Sequence, residues 1–544
     1  MKIMELNATD LKKFFSGGCA FLCDNKEQVN ALNVFPVPDG DTGTNMSLTM
    51  TTAIKDFNGQ VTAAEVLNRV SNGALMGARG NSGVILSQIF RGFAQGVGDK
   101  GSLDPKGFAV AMQRGVDLAY RAVMRPVEGT MLTVSKEMAK AALASADAGD
   151  DMIKLLEKVI DQGKKALANT PNQLPVLKQA GVVDAGGQGL ILIYQGGLKA
   201  LLSEEMGLAD EYEKMAGVEG VEGETQIGQN IEFGYCTEVM VHGKNIDVEP
   251  VRETLTTLGD SLVVVGTESL VKVHVHTNDP GAVFSYLVKY GSLHDIKVDN
   301  MRDQHREILD ISESVETKTK EPAELAECGV VVVVSGDGLT HFFTELGAGY
   351  IINGGQSMNP SAEDLLRAFS KVPAKEIIIL PNNSNIILTA QQAKELAERP
   401  VHIVPTKYIT QGISAMVAFN SAQTAAANVE GMLENIKQIK SGEVTYAVRN
   451  STYDGLEITE NDILGLEEGK LLSVGEDLLY VVLKLVDHML DGNEDQLLTL
   501  FYGADLKEEE AQKVADAIMA AHPQIDLEMQ SGGQPLYYFL ISVE

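Results

Sequence analysis

The spacing of apolar residues changes twice along this chain, and each change falls at a polar, charge-rich stretch with no buried face. Up to about residue 203 the period is helical. Ala63-Ala-Glu-Val-Leu-Asn-Arg-Val70 places apolar side chains at i, i+3, i+4 and i+7, and residues 84–93 and 107–119 do the same. Residues 204–229, with Gly-Val-Glu-Gly-Val-Glu-Gly-Glu-Thr, read as a linker. Between 230 and 312 the pattern is strand 233–241, helix 248–258, strands 261–265 and 270–276, helix 280–289 and strand 293–298. That is β-α-β-β-α-β, the ferredoxin-like order. A second linker is expected at 313–327, rich in Lys, Glu and Thr. The third block, 328–544, opens on Gly329-Val-Val-Val-Val-Val334, an apolar run of the kind buried on both faces of a parallel sheet. Strands at 376–380 and 401–404 follow, separated by helical patterns. After residue 443 we expect a hairpin of 444–448 with 456–459, helices at 476–490 and 508–521, and a closing strand pair, which together read as a possible fourth subdomain. The expected architecture is therefore multidomain: an all-α block (1–203), an α+β ferredoxin-like middle domain (230–312) and an α/β C-terminal domain (328–544).

Charge narrows the function classes. At a net −31 over 544 residues the chain would be repelled by nucleic acid and by anionic membrane, so neither is expected as a partner. An anionic ligand would need local positive charge, and bound metal ions are a ready source. Four cysteines (Cys19, Cys23, Cys236 and Cys328) make no disulfide framework, which points to a reducing compartment. Met-Lys-Ile-Met-Glu-Leu-Asn at the start carries no apolar stretch of the signal-peptide type. No window of the length needed to span a bilayer is continuously apolar, so no membrane span is expected. A cytoplasmic enzyme is the expectation.

The most informative run is Asn33-Val-Phe-Pro-Val-Pro-Asp-Gly-Asp-Thr-Gly-Thr-Asn-Met46. Asp39 and Asp41, one glycine apart, are hard carboxylates able to hold Mg²⁺, which takes oxygen ligands and phosphate oxygens together. Asn33 offers a further amide oxygen. Thr42, Thr44 and Asn45 follow at once, with hydroxyl, amide and backbone N–H groups suited to phosphate at a helix N-terminus. A capped turn would account for Asp-Gly-Asp alone. It would not account for the other glycine-rich turns in the same helical block, 77–83, 127–131 and 184–189. In the first of these Arg79 can offset phosphate charge, and Asn81 and Ser82 can hydrogen-bond it. No Lys-Ser or Lys-Thr ends that loop, so a Walker-type phosphate loop is not indicated.

These residues carry a resemblance. The long run 32–46, Gly77-Ala-Arg-Gly-Asn-Ser-Gly83, Pro126-Val-Glu-Gly-Thr-Met-Leu132 and Val182-Val-Asp-Ala-Gly-Gly187 occur in the order seen in the nucleotide-binding subunit of dihydroxyacetone kinases. Over all three blocks the chain resembles the ATP-binding subunit of bacterial fatty acid kinases. The resemblance implies an all-α nucleotide-binding barrel for the first block, binding ATP with two Mg²⁺ ions between Asp39, Asp41 and the phosphates. It implies phosphate contacts from Thr42, Gly43, Thr44, Asn45, Ala78, Arg79, Gly80, Asn81 and Ser82. Gly129, Thr130, Asp184, Ala185 and Gly186 would line the nucleotide pocket. Dihydroxyacetone kinases carry a third carboxylate before the Asp-Gly-Asp pair, where this chain has Asn33. The implied acceptor is a fatty acid carboxylate presented by a separate fatty-acid-binding protein, giving an acyl phosphate for phospholipid synthesis. A homodimer is also implied. Other readings are a nucleotide-binding scaffold without chemistry and a kinase of a small hydroxyketone.

In the middle block His274 and His276 stand at i and i+2 on one strand and so face one side. In a ferredoxin-like sheet the first and third strands are neighbours, which would bring Cys236 to them. One Cys with two His suits Zn²⁺ with a fourth position open, for which His242 and Asp279 are candidates. A buried thiol and two strand histidines without metal is the alternative. Cys19 and Cys23, at i and i+4 in an apolar helix, read as core. Ser335-Gly-Asp-Gly338, 353–357 and Pro381-Asn-Asn-Ser-Asn385 sit after strands of the parallel sheet, where such sheets bind ligands, or are plain turns. By the resemblance, the C-terminal block docks the partner.

Overall fold

The computed structural model describes residues 2–33, 40–55, 57, 59, 62–123, 125–203, 233–243, 246–266, 270–300, 325–355, 358–453, 455–490 and 496–544. Its described parts form two compact units. Met1–Val218 and Leu325–Glu544 make one, and Glu219–Glu324 makes the other. The two ends of the chain thus pack as a single body.

The first block is helical: α1 (Ala8–Asp24), α2 (Lys26–Asn30), α3 (Thr42–Ile54), α4 (Ala63–Met76), α5 (Gly80–Val97), α6 (Pro105–Ala122), α7 (Met131–Asp147), α8 (Met152–Ala168), α9 (Thr170–Gln173), α10 (Pro175–Ala180) and α11 (Ala185–Leu202). Their starts are written in the sequence. Asn7 with Asp10 and Thr62 with Glu65 form capping boxes, while Asp104 caps α6 just ahead of Pro105. The core gathers Phe14, Phe15, Phe90, Phe93, Phe108 and Tyr194, with ring centroids 5.1–6.2 Å apart and edge-to-face. Burial pushes the Tyr194 phenol well above its ordinary range.

Glycines set how closely these helices pack. A Cβ on Gly196 of α11 would stand 2.2 Å from the carbonyl oxygen of Gly17 in α1. One on Gly92 of α5 would stand 2.5 Å from the carbonyl of Arg114 in α6. Backbone meets backbone there, so no larger residue fits without moving a helix.

The middle unit holds β1 (Tyr235–Gly243), α12 (Val248–Leu255), β2 (Gly259–Gly266), β3 (Leu270–Thr277), α13 (Pro280–Leu287) and β4 (Gly291–Asn300). Its sheet runs β2-β3-β1-β4, antiparallel throughout. Val271, Val273 and Val275 are buried at period two against Leu255 and Leu287.

The C-terminal block begins with β5 (Ala326–Val334), α14 (Asp337–Glu345), β6 (Tyr350–Asn353), α15 (Ala362–Lys371), β7 (Ala374–Leu380), α16 (Ile387–Leu396) and β8 (Val401–Ile403). These strands form a parallel sheet ordered β6-β5-β7-β8. The valine run is apolar at every position because it serves two cores: Val330, Val332 and Val334 enter one, Val331 and Val333 the other. Then come α17 (Ile409–Val417), α18 (Ala425–Ile436), β9 (Lys440–Tyr446), β10 (Ser451–Tyr453), β11 (Leu456–Ile458), β12 (Ile463–Glu467), β13 (Lys470–Gly475), α19 (Leu478–Leu490), β14 (Leu497–Tyr502), α20 (Glu508–Ala521), β15 (Asp526–Ser531) and β16 (Phe539–Val543).

Two expectations are corrected here. Residues 444–448 and 456–459 do not pair with each other. β9 lies inside a six-stranded sheet between β12 and β16, and β11 closes a short hairpin with β10. Nor do the last two strands pair, since β14 lies between them, parallel to β15 and antiparallel to β16. This sheet shares a core with the parallel one through Phe501, Tyr537 and Leu540, so it is not a separate subdomain.

Gly196→Ala should destabilise the first unit by about 1–3 kcal/mol, the usual cost of forcing atoms into a packed core. Denaturant unfolding followed by circular dichroism checks this, and a midpoint equal to the parent's would contradict the backbone contact described.

Candidate functional site

Two helix N-termini converge in the first block. Asp41 is the N-cap residue of α3, but its carboxylate caps nothing there. It is 8% exposed and instead accepts a short hydrogen bond from the Asn359 amide. The first-turn N–H groups of Gly43 and Thr44 donate to Asn30 Oδ1 at 2.8 and 3.2 Å, and Asn30 Nδ2 donates to Thr44 Oγ1 at 3.1 Å. Gly43 is required by this seat, since a Cβ would lie 2.1 Å from the carbonyl of Lys26.

The second N-terminus is that of α5. Gly80 has φ +58° and abuts Asn45, whose amide would lie 2.6 Å from a Cβ at that position. Thr49 locks the two helices together: its hydroxyl donates to Asn45 O at 2.7 Å and accepts from Arg79 N at 3.3 Å. Between them lies a pocket of about 100 Å³ lined by Asn33, Asp41, Thr42, Asn45, Asn81, Ser82 and Asn385.

The structure brings Asn33, Asp41, Thr42, Asn45, Asn81 and Ser82 together around one pocket, with Gly43, Thr44, Ala78, Arg79 and Gly80 adjacent to them in sequence. Asp39 lies outside the described residues. What the sequence reading missed is the contribution of the C-terminal block. Asn359 reaches Asp41, and Asn385 Oδ1 accepts from Asn81 Nδ2 at 3.1 Å. Arg79 Nη1 donates to the main-chain carbonyl of Asn359 at 2.8 Å and pairs with Asp364 at 3.3 Å. Arg449, whose guanidinium is held below its usual pKa range by burial, donates to the carbonyl of Asn33. Asn385 stood in one of the strand-end loops singled out above. Asn359 and Asn30 carried no local signal.

Gly129, Thr130, Asp184, Ala185 and Gly186 gather at a second pair of helix N-termini, those of α7 and α11. Gly129 has φ +84°, and its N–H donates to Thr133 Oγ1 at 2.8 Å. The Asp184 carboxylate caps α11 through Gly187 N at 2.7 Å and also accepts from the Met131 backbone. Burial outweighs these bonds and raises its pKa to about 6. Nearby, Glu128 is held below the usual carboxylate range by Lys136, 2.6 Å away, and by Thr133. Cys23 sits beside Cys19, whose hydrogen bond lowers the Cys23 thiol to about 7; Cys19 is core, as expected, and Cys23 half-buried.

In the middle unit the backbone register sets Cys236 opposite His276 on adjacent antiparallel strands, with His274 opposite Glu238. The side chains of Cys236, His274 and His242 lie outside what the structure describes. His276 Nδ1 is 3.6 Å from Asp260 Oδ1. Among the described residues no three His, Cys, Asp or Glu side chains form a metal-binding group, and no helix is long and apolar enough to cross a membrane.

The sequence matches the family models of the DAK2 domain at residues 36–199, of the FakA-like middle domain of fatty acid kinases at 232–308, and of the FakA-like C-terminal domain of fatty acid kinases at 329–544. These matches place the chain among phosphotransferases of the kinase type. More particularly, this chain belongs to the FakA-like family of fatty acid kinase subunits. Protein YloV of Bacillus subtilis (strain 168) is 41% identical over 555 residues, covering 100% of both chains. Among solved structures it is similar to DegV, a fatty acid binding protein from Bacillus subtilis (TM-score 0.31, 11% identity, 40% of this chain and 99% of that one). It is also similar to the dihydroxyacetone kinase from C. freundii in complex with AMP-PNP and Mg²⁺ (TM-score 0.28, 19% identity, 37% of this chain and 35% of that one).

Asp184 gives a pH signature. Its folded pKa of about 6 exceeds the ordinary 3.8, so between those values the folded state holds a proton that the unfolded state releases. Stability is therefore lost as pH rises from about 4 to 6, by on the order of 2–3 kcal/mol for a shift of this size. Asp184→Asn should flatten that limb of the stability–pH curve; an unchanged slope would contradict the assignment.

Proposed function

We propose that this chain is the ATP-binding subunit of a fatty acid kinase. It transfers the γ-phosphoryl group of ATP to the carboxylate of a fatty acid presented by a separate fatty-acid-binding protein. One observation carries this reading: the α3 and α5 N-termini meet at a polar pocket with Asp41 in its wall, in a chain whose three blocks match the DAK2 and FakA-like models.

The donor set fits Mg²⁺. Asp41, Asn33 and Thr42 line the pocket with hard oxygen atoms and no sulfur or imidazole. Asp39 and Asp41, with Asn33, would hold Mg²⁺, which supplies neutralisation of phosphate charge when bound. The chain's own residues do the rest. Asn45, Asn81 and Ser82 offer amide and hydroxyl donors to phosphate oxygens, and the two helix N-termini favour negative charge between them. Gly129, Thr130 and Asp184 to Gly186 line the nucleoside side. A carboxylate oxygen of the fatty acid forms the new bond to γ-phosphorus as the bond to the β–γ bridging oxygen breaks and ADP leaves with that electron pair. A carboxylate is already ionised at neutral pH, so the step needs alignment and charge neutralisation and no strong base. The strand order of the middle unit supports a ferredoxin-like domain, and the Cys236–His276 register supports a zinc site there with His274.

Purified chain, Mg-ATP, a fatty acid and a fatty-acid-binding partner should together yield ADP and acyl phosphate, with no product when any component is left out. Asp41→Ala should lower the rate about 100-fold or more, as expected for loss of a metal-holding carboxylate. Parental activity in that variant would sink the assignment. Tight ATP binding with no product from the parent would favour a nucleotide-binding scaffold.

A further inference from the structure

Three residues of the pocket lining, and Arg79 beside them, are engaged by residues from the far end of the chain. Asp41 meets Asn359, Arg79 meets Asn359 and Asp364, Asn81 meets Asn385, and Asn33 meets Arg449. Asn359 is the centre of this set. It is fully buried, its side-chain amide donates to Asp41 Oδ2, and its main-chain carbonyl accepts from Arg79. It also abuts Gly80, where a Cβ would lie 3.5 Å from its amide nitrogen. Among the described residues its own Oδ1 and Arg79 Nε are buried with no hydrogen-bond partner. A buried unpartnered amide oxygen is costly, so a side chain held there for packing alone would be better served by an apolar residue of the same shape.

The segment is rigidly delivered. Ser361 and Asp364 form the capping box of α15, and Ala362 N donates to Ala78 O at 3.3 Å. Asp364 thus caps its own helix and pairs with Arg79 at once. The amide orientation of Asn359 follows from its partner: a carboxylate only accepts, so the NH₂ group faces Asp41.

We propose that Asn359 is a positioning residue for the phosphotransfer site: it fixes the Asp41 carboxylate with its side chain and Arg79 with its main chain. The metal and phosphate end of the site is then complete only when the C-terminal block is seated on the helical one. This deepens the function proposed above and rests on it. Asn359 does not itself touch substrate. It holds one oxygen of Asp41 in place, and the orientation of that carboxylate follows from it.

The test measures Mg²⁺-dependent ATP binding to the full chain by calorimetry across a Mg²⁺ titration, alongside unfolding midpoints. Asn359→Ala removes the donor, and Asn359→Leu removes it while keeping the volume, guarding against collapse of the first variant. Gln392→Ala is the control. It breaks another contact between the same two blocks, where Gln392 Nε2 donates to Leu75 O and Oε1 accepts from Ser87 at 3.3 Å, far from Asp41 in function. Both Asn359 variants should need about tenfold more Mg²⁺ for half-saturation, the usual effect of losing a partner behind a metal ligand. Gln392→Ala should keep the parental Mg²⁺ dependence. Parental Mg²⁺ dependence in a folded Asn359 variant, or an equal loss in Gln392→Ala, overturns the proposal while leaving the kinase reading standing. A parent chain that binds no Mg-ATP overturns both.

Discussion

The meeting of residues 359–364 with the start of α5 is the contact around which the candidate site is arranged. The visible ion pair in it, Arg79 with Asp364, is the lesser part. Both side chains are partly open to solvent, 24% and 35%, so the pair contributes at most about 1 kcal/mol. The weight falls on buried groups. Asp41 is 8% exposed and Asn359 not at all, and a hydrogen bond to a charged group contributes about 1.5–3 kcal/mol. The bond joins the two ends of the chain within one body, although more than 300 residues and a separate unit lie between them.

That body also explains what the sequence displayed and what it withheld. Helices with amphipathic stripes and written caps, such as α4 behind Thr62 and α6 behind Asp104, were legible because their causes are local. The alternating strands of the middle unit and the unbroken valine run of β5 were legible for the same reason. In each the burial pattern repeats at the period of the element itself. The order of the six-stranded sheet was not legible. β9 pairs with β12 and β16, and nothing in residues 440–446 encodes which distant strands will flank them. A turn between neighbours was the natural guess, and long-range pairing overrode it.

The candidate site divides along the same line. Asn33, Asp41, Thr42, Asn45, Asn81 and Ser82 sit in two short runs of unusual composition, and the runs announce themselves. Asn30 is a different case. It lies at the end of α2 and satisfies two first-turn donors of α3, which a reading confined to the run 33–46 passes over. Asn359 was invisible for a stronger reason. Its neighbours form an ordinary helix start, and only the docking of α15 against the 78–81 loop gives it a role.

Charge decides how such a pocket can take a nucleotide. The chain carries −31, and among the described residues that line the pocket none is Lys or Arg. Arg79 is already turned to Asp364 and Asn359, and Arg449 to the Asn33 carbonyl. Asn30 has taken two of the N–H groups that the α3 terminus would otherwise present to an anion. Among the described residues what remains is the field of two helix N-termini, about half a unit charge each at best. A triphosphate brings several negative charges, so the protein's fixed positive field falls short of it. The kinase reading therefore requires that the balance arrive with the nucleotide as divalent cations, and that carboxylates be present to receive them. Acidic residues in a phosphate pocket of an acidic protein would repel substrate on their own account. On the kinase reading they make sense there as holders of metal, and a buried amide beside Asp41 is what such a holder would need.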